Sequence, residues 1–300
     1  MNPKAKFKVS CLAAVFIVAV LLFVYAFFIE PNRVLVNQYD IDVKKIPASF
    51  DGMRIVAISD VHGGSNFIDR KKIDNVVKKA NAQNADLIVL LGDYVSQKFG
   101  EGGDNDDSLE MPIKEIAAAL RPLKAKYGVY AILGNHDGAY SDDKVASALT
   151  DNGIRVLQNE IVNIIASNGE KLHILGLIDH LEIQDTKEFQ RKIEQKLEQA
   201  DISNNLIVLE HSPDIAKIFS ANEKLGKPTA LFLSGHSHGG QVWFPLIGSL
   251  IVPNDSKYAY GLVHEQNFEV FITTGIGTSI MPVRFMVPPE IAVVTIHSRN

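Results

Sequence analysis

Seven side chains suited to binding a metal, and an eighth suited to moving a proton, fall in five short blocks of this 300-residue sequence. The blocks are Asp60-Val61-His62, Gly92-Asp93, Gly134-Asn135-His136-Asp137, Glu210-His211 and Gly235-His236-Ser237-His238. Carboxylate, carboxamide and imidazole donors without a thiolate suit Mn, Fe or Zn, and disfavour a cysteine-built structural site. Seven donors exceed what one tetrahedral ion requires, so two ions are expected, and Asp93 is able to bridge them with one oxygen on each. Two ions about 3.5–4 Å apart clamp the attacking and leaving oxygens of a phosphoryl centre and acidify a water between them.

Each block follows an apolar run fit for a buried strand: Arg54–Ser59, Leu87–Leu91, Val129–Leu133, Leu206–Leu209 and Ala230–Leu233. Between them the spacing predicts helices. Ile68–Gln83 places Ile73, Val76, Val77 and Ala80 on one face, and Met111–Leu120 and Asp142–Asp151 read the same way. Glu188–Gln199 reads as a charged, solvated outer helix. Ile161–Ile165 and Leu172–Leu177 are strand-like, and the chain after Gly239 reads as mostly β. Alternating strands and helices imply an α/β sheet covered on both faces, and the β-rich tail fits a second sheet. Open α/β sheets place ligands at the C-terminal ends of their strands, where all five blocks fall.

In order and, roughly, in spacing, the blocks resemble the signature of calcineurin-like metallophosphoesterases, from about Phe50 to Ile296. Gly239-Gly240-Gln241, Lys257-Tyr258 with Gly261-Leu262, and Arg284 ahead of Pro289-Glu290 are similar to the membrane-attached bacterial phosphodiesterase branch. The resemblance implies a four-layer αββα sandwich of two mixed sheets. It implies Asp60, His62 and His238 on one ion, Asn135, His211 and His236 on the other, and Asp93 between them. Hydrolysis would use a metal-bridging hydroxide, with His136 as the non-ligand acid at the leaving oxygen. One block departs from the pattern. Protein phosphatases of the superfamily read Gly-Asp-x-Val-Asp-Arg-Gly, and this chain reads Gly92-Asp93-Tyr94-Val95-Ser96-Gln97. The histidine-orienting aspartate and phosphate-gripping arginine are missing, which argues against a phosphoprotein phosphatase and leaves Asp137 as the adjacent residue to orient His136.

Apolar residues make up 46% of the chain and charged residues 22%, enough for a sizeable core. The net charge is −5, from 30 basic and 35 acidic side chains. No long cationic run is present, so no nucleic-acid partner is expected. The lone cysteine, Cys11, excludes an intrachain disulfide. Residues 1–29 carry Lys4, Lys6 and Lys8 and no acid. Less those three lysines, 27 basic side chains face 35 acidic ones in the rest of the chain, a net of −8. So acidic a body needs metal ions or a local cationic pocket to handle anionic substrates.

Val9–Ile29 is an uncharged run of 21 residues, long enough to span roughly 30 Å of hydrocarbon. Val24-Tyr25-Ala26 could serve as a signal-peptide cleavage site, but Phe27, Phe28 and Ile29 continue the apolar run past it, so an uncleaved anchor is expected. The lysines favour a cytoplasmic N-terminus and an extracytoplasmic catalytic body. The expected division is a basic tail at 1–8, a transmembrane anchor at 9–29, a connector with a first strand at 30–49 and the metallophosphoesterase domain at 50–300. Nothing in the sequence fixes an oligomeric state.

His173, His180, His264 and His297 are assigned no role, and Asp179 is read as a turn or cap. Ser96–Ser108, with three glycines and four acids, reads as a solvated loop rather than a lid. Val242–Pro253 and Gly275–Pro289 read as core strand with rigid turns, or as an apolar rim that touches lipid beside the site. Arg284 either grips a substrate phosphate or forms a structural ion pair.

The expected activity is dinuclear metal-dependent hydrolysis of a phosphodiester or pyrophosphate in a small or lipid-linked substrate, with Mn the favoured metal. Three alternatives stand beside it: a UDP-2,3-diacylglucosamine pyrophosphatase of lipid A synthesis, which requires a cytoplasmic site; a phosphomonoesterase; and a catalytically silent membrane-bound scaffold.

Overall fold

The computed structural model describes residues 3–249, 252, 255–279 and 281–299, with side chains from Ser10 onward. Leu250, Ile251 and Pro253 of the first apolar stretch, and Ile280 of the second, lie outside the described residues.

The unbroken apolar runs form strands buried on both faces. In the first sheet, β2 (Met53–Ile58), β3 (Leu87–Leu91), β4 (Val129–Ile132) and β5 (Arg155–Val156) run parallel. β14 (Glu290–Arg299) pairs antiparallel with β2, and β1 (Leu35–Lys44) pairs parallel with β14 at the edge. In the second sheet, β7 (Lys171–Gly176), β8 (Leu206–Leu209), β9 (Thr229–Ser234) and β13 (Glu269–Ile272) are parallel. β6 (Glu160–Ile165) and β12 (Gly261–His264) close its two edges antiparallel. A short hairpin, β10 (Trp243–Phe244) and β11 (Gly248–Ser249), stands apart.

Alternation along each strand sorts the core into layers. Ile55, Ala57, Val89 and Leu91 of the first sheet meet Ile207, Leu209, Leu231 and Leu233 of the second. Val56, Ile58, Ile88 and Leu90 point outward, under α2 (Arg70–Asn81), α3 (Ile113–Leu120) and α5 (Asp142–Asp151). On the opposite face, Val208 and Phe232 lie under α6 (Thr186–Gln199) and α7 (Ile215–Ala221). The result is the expected four-layer αββα sandwich with two mixed sheets.

Some expected boundaries move for local reasons. The second helix begins at Arg70 rather than Ile68 because the Asp69 carboxylate caps it, accepting the Lys72 N–H at 2.7 Å. The third begins after Pro112, which restricts Met111 away from helical geometry. Although charged, α6 buries Phe189, Ile193 and Leu197 at four-residue intervals, so a narrow seam suffices to dock it. Gly275–Pro289 forms no strand among the described residues beyond one isolated bridge, Val242 to Phe285. Its carbonyls turn inward instead, toward Arg284.

The N-terminal helix α1 (Pro3–Val24) passes through a π-type turn, Tyr25–Ile29, into one 3-10 turn. Ser10–Asn32 is long and apolar enough to cross a membrane, its 18-residue window having a mean hydropathy of 3.0 and no buried residue. Its C-terminal end rests on the sandwich. Tyr25 meets Phe285 edge-on at 6.2 Å, Phe27 and Phe28 pack on Phe67, and the Ala26 carbonyl accepts the Arg284 N–H at 3.0 Å.

Glu290 ties the edge strand to a loop of the site. Its buried carboxylate accepts from Asn37 Nδ2 (2.7 Å), Tyr39 Oη (2.8 Å), Thr273 Oγ1 (2.9 Å) and the Thr274 N–H (2.9 Å). Glu290→Ala leaves these donors without their acceptor and should cost about 3 kcal/mol, seen as a lower melting temperature of the detergent-solubilised chain. An unchanged melting temperature would mean that water replaces the carboxylate.

Candidate metal centre

The five strand ends converge as the sequence predicts. Asp60 and His62 follow β2, Asp93 follows β3, Asn135 and His136 open the short helix α4 (Asn135–Tyr140) after β4, His211 follows β8, and His236 and His238 follow β9. Both sheets therefore contribute. Five of these residues hold left-handed backbone conformations: Asp60 (φ +55°), His62 (+46°), Asp93 (+57°), His236 (+68°) and His238 (+51°). Such positions cost of order 1–3 kcal/mol each in non-glycine residues and gather at functional sites. Turning the chain sharply at the strand end is what aims each side chain back over the sheet edge.

The donor atoms fall into groups that Asp93 links. Asp60, His62 and His238 form one cluster, and Asp93, His211 and His236 another, while Asp93 also clusters with His62 and His136. His62 Nε2 is 3.2 Å from His238 Nε2 and 3.6 Å from Asp93 Oδ2, and His238 Nε2 is 3.4 Å from Asp60 Oδ1. On the other side, His211 Nε2 is 3.1 Å from Asp93 Oδ2 and 3.2 Å from His236 Nδ1. Metal–ligand bonds near 2.1 Å give donor–donor edges of roughly 3.0–3.4 Å around one ion, close to these separations. The carboxamide oxygen of Asn135 is buried without any hydrogen-bond partner, as an atom intended for a cation would be. The donor chemistry therefore fits divalent ions: one group of Asp60, His62 and His238 and another of Asp93, His211 and His236 are present, with Asn135 lining the same cavity as Asp93.

Backbone groups set the ring orientations. The Leu91 carbonyl lies 2.7 Å from His211 Nδ1 and the Val95 carbonyl 3.3 Å from His62 Nδ1, so each ring turns an Nδ1–H to a carbonyl and its Nε2 to the centre. Burial pulls His62 down to about 4, and burial with the neighbouring His211 pulls His236 down to about 3, so both rings stay neutral. Burial also lowers His238, with further repulsion from His62 and Arg284. Asp60 is pushed up to about 6, chiefly by burial. Burial opposes charge on Asp93 and His211 alike, yet each holds the other ionised: Asp93 well below its usual range, His211 well above.

Two expected roles are corrected. Arg284 is 0% exposed, and its guanidinium donates to the carbonyls of Gly277 (2.6 and 3.1 Å), Thr274 (2.8 Å), Val287 (3.1 Å) and Gly275 (3.3 Å). A side chain so enclosed, and absent from the lining residues of the cavity, is not placed to grip a substrate phosphate. It also makes no close ion pair among the described residues; its Nη2 lies 3.4 Å from His238 Nδ1, where its charge helps keep that ring neutral. Asp137 does not orient the His136 ring. Its carboxylate accepts the N–H groups of Asp93 (2.8 Å), Tyr94 (2.9 Å), Gly134 (3.0 Å) and Val95 (3.3 Å), bracing the second block against the third.

Ser279 was not legible as a site residue. Its hydroxyl is 3.4 Å from His136 Nε2, and its N–H donates to Gln241 Oε1 at 2.9 Å. Gln241 Nε2 in turn holds the Met281 and Val283 carbonyls, so the residue after the Gly-Gly pair fastens the 279–283 loop over the donors. A cavity of about 170 Å³ opens there, lined by Asp93, Asn135, His136, His236, Ser279 and Met281 among others. A second opening reaches His62, His136 and Ser279 past Ser96–Phe99. Beyond Gln97 that loop is exposed through Asp107, and Tyr140 and Lys144 pin its Asp106. Asp179 caps the turn after β7, as expected, accepting the Leu181 N–H at 2.9 Å. His173, His264 and His297 pair with Asn163, Glu269 and Asp40 away from the centre.

The family model of the calcineurin-like phosphoesterases matches residues 53–240, a span that holds all seven donors and His136. The chain belongs to this family. It is 31% identical to the metallophosphoesterase YkuE of Bacillus subtilis over 280 residues, 92% of this chain and 90% of that one. It is 28% identical to a "transmembrane protein with metallophosphoesterase domain" of Danio rerio, covering 92% of this chain and 60% of the relative. Among solved structures, a dimetal phosphatase from Danio rerio is similar at a TM-score of 0.45 and 12% identity, over 75% of this chain and 88% of that one. Calcineurin-like phosphoesterases depend on two metal ions, in agreement with the two donor groups.

Gly134 makes the third block possible. A Cβ there would lie 2.4 Å from Asp93 Oδ1 and 2.9 Å from His211 Cδ2, although its backbone angles suit any residue. Gly134→Ala should displace the shared carboxylate and cost at least one bound Mn per chain by elemental analysis, with the far-ultraviolet circular dichroism unchanged. Full metal content in that variant would show that the block yields without disturbing Asp93.

Proposed function

We propose that the chain is a membrane-anchored hydrolase that cleaves a phosphodiester or pyrophosphate bond in a small or lipid-linked substrate, using two divalent ions with Mn favoured. The carrying observation is the pair of donor groups joined through Asp93 beneath a cavity that His136 borders. When bound, the ions lower the pKa of a water and neutralise charge on the phosphoryl oxygens. The protein's part is positional. Asp93 is held by its own N–H on Asp137 and by accepting the His136 N–H at 2.9 Å. The His136 ring stands perpendicular to His62 at 4.9 Å, with Nε2 toward Ser279 and the cavity. From there it supplies or shares the proton that the leaving oxygen takes.

Charge supports a diester over a monoester. A monoester dianion carries one more negative charge, and the cavity has no lysine or arginine among its described lining residues. The filled donor set also speaks against a silent scaffold.

The apolar rim supports a substrate met at the bilayer. Leu246 and Ile247, at the tip of the β10–β11 hairpin, are 105% and 71% exposed. Phe244 of the hairpin packs on Phe285 at 5.4 Å, and Phe285 on Tyr25 at the end of the apolar helix. The hairpin thus lies beside the point where the anchor leaves the membrane, next to the loop that roofs the cavity. The lysines at 4, 6 and 8 favour an extracytoplasmic body, which ranks the UDP-diacylglucosamine pyrophosphatase reading second.

The first test uses the whole chain in detergent, loaded with Mn and assayed on bis- and mono-p-nitrophenyl phosphate. Faster turnover of the diester, lost with the metal in Asp93→Ala, is the expected result. Preference for the monoester would replace this reading by a phosphomonoesterase, and inertness with full metal content would favour a scaffold. In vesicles, Leu246→Asp with Ile247→Asp should lower kcat/KM for hexadecyl p-nitrophenyl phosphate about 10-fold, equivalent to about 1.4 kcal/mol of lost apolar contact. Turnover of the soluble diester should be unaffected. Equal losses on both substrates would show a defect in the site rather than at the membrane.

A further inference from the structure

A third cluster of ligand-type side chains lies at the ends of β7 and β8, outside the two groups that Asp93 joins. Asp179 and His180 follow β7, Glu210 follows β8, and one donor atom of each lies within 4.8 Å of the others. His180 Nδ1 is 3.9 Å from both Asp179 Oδ1 and Glu210 Oε1. One oxygen of each acid has local work: Asp179 Oδ1 takes the Leu181 N–H, and Glu210 Oε1 takes the His180 N–H at 3.0 Å. Asp179 Oδ2, Glu210 Oε2 and His180 Nδ1 are buried with no hydrogen-bond partner.

Asp179 is 1% exposed and Glu210 0%, so water does not solvate their charges. No lysine or arginine forms an ion pair with either among the described residues; the imidazole of His180 lies 3.9 Å from an oxygen of each. Asp142 and Glu182 add to the acidity. Burial and Asp142 push Glu182 up to about 7, and the charge of Asp179 raises both. Unpaired buried carboxylates are costly and are normally relieved by protonation or by a cation.

We propose that Asp179, His180 and Glu210 form a third cation site, for a divalent first-row ion of the Mn class. Two carboxylates favour a hard ion and the imidazole a borderline one, a combination that Mn accommodates. The site is independent of the phosphoester reading.

The test is metal stoichiometry on the full chain in detergent, saturated with Mn and freed of excess, by elemental analysis and calorimetric titration. The wild type should hold three equivalents. His180→Ala, and separately Glu210→Gln, should each hold two while still hydrolysing bis-p-nitrophenyl phosphate; melting curves establish that each variant is folded. Two equivalents in the wild type, unchanged in His180→Ala, would overturn the site and leave the carboxylates sharing protons. That result would not touch the hydrolase reading, which fails on diester turnover and not on the third equivalent.

Discussion

Two carboxylates and four imidazoles crowd within 3.1 to 3.6 Å of their neighbours, all but His236 buried, and among the described residues no lysine or arginine forms an ion pair with either acid. Everything around the centre follows from the cost of that arrangement. Asp93 and His211 ionise each other, the remaining imidazoles are held neutral, and Asp60 is driven toward protonation. A protein left so would have assembled repelling or desolvated donors for nothing. With divalent ions in place the neutral rings and the ionised Asp93 become assets, because those are the forms that ligate, and the ions would draw the remaining protons off Asp60 and His211. The sandwich supplies the framework. Strands from two sheets end on one side, and β2, β3 and β9 deliver their donors through left-handed turns that only a well-packed core sustains.

The supports of those turns explain how the loops stay together. Asp137 collects four backbone N–H groups and locks the Asp93 loop to the His136 loop. Gln241 and Arg284 serve the opposite wall. One fastens the 279–283 loop, and the other gathers carbonyls from Thr274 to Val287 around one guanidinium. Burial lowers that guanidinium to about 10, which still leaves it charged at neutral pH. Its cage is therefore an electrostatic staple for a proline-rich segment that has almost no strand pairing of its own.

The parts that were legible in the sequence share a physical reason. Leu87–Leu91 and Leu206–Leu209 are apolar throughout because both faces are covered, so strand identity and bounds came through unaltered. The donors were legible because each stands directly after such a run. What escaped was whatever depends on where a side chain points once distant loops meet. Arg284 reads as a phosphate grip until five carbonyl contacts from its own loop enclose it. Asp137 reads as the partner of its neighbour His136, yet the N–H groups that claim it lie mainly some forty residues earlier. His180 and Glu210 carry no signal singly, since β7 and β8 bring them together only through a parallel pairing. Ser279 lies in a stretch whose composition speaks only of apolar turns.

The apolar helix and the site share a segment. The Arg284 N–H bonds to Ala26 at the end of that helix, its guanidinium reaches His238, and the next residue, Phe285, packs between Tyr25 and Phe244. A flexible tether would let the cavity face any direction. A helix end bonded to the wall of the donor site instead fixes the cavity relative to the last turn of the helix. On the proposed reading, in which this helix is the membrane anchor, the apolar hairpin tip would meet lipid although it covers no core, and a phosphate at the headgroup level would reach the donors without leaving the bilayer.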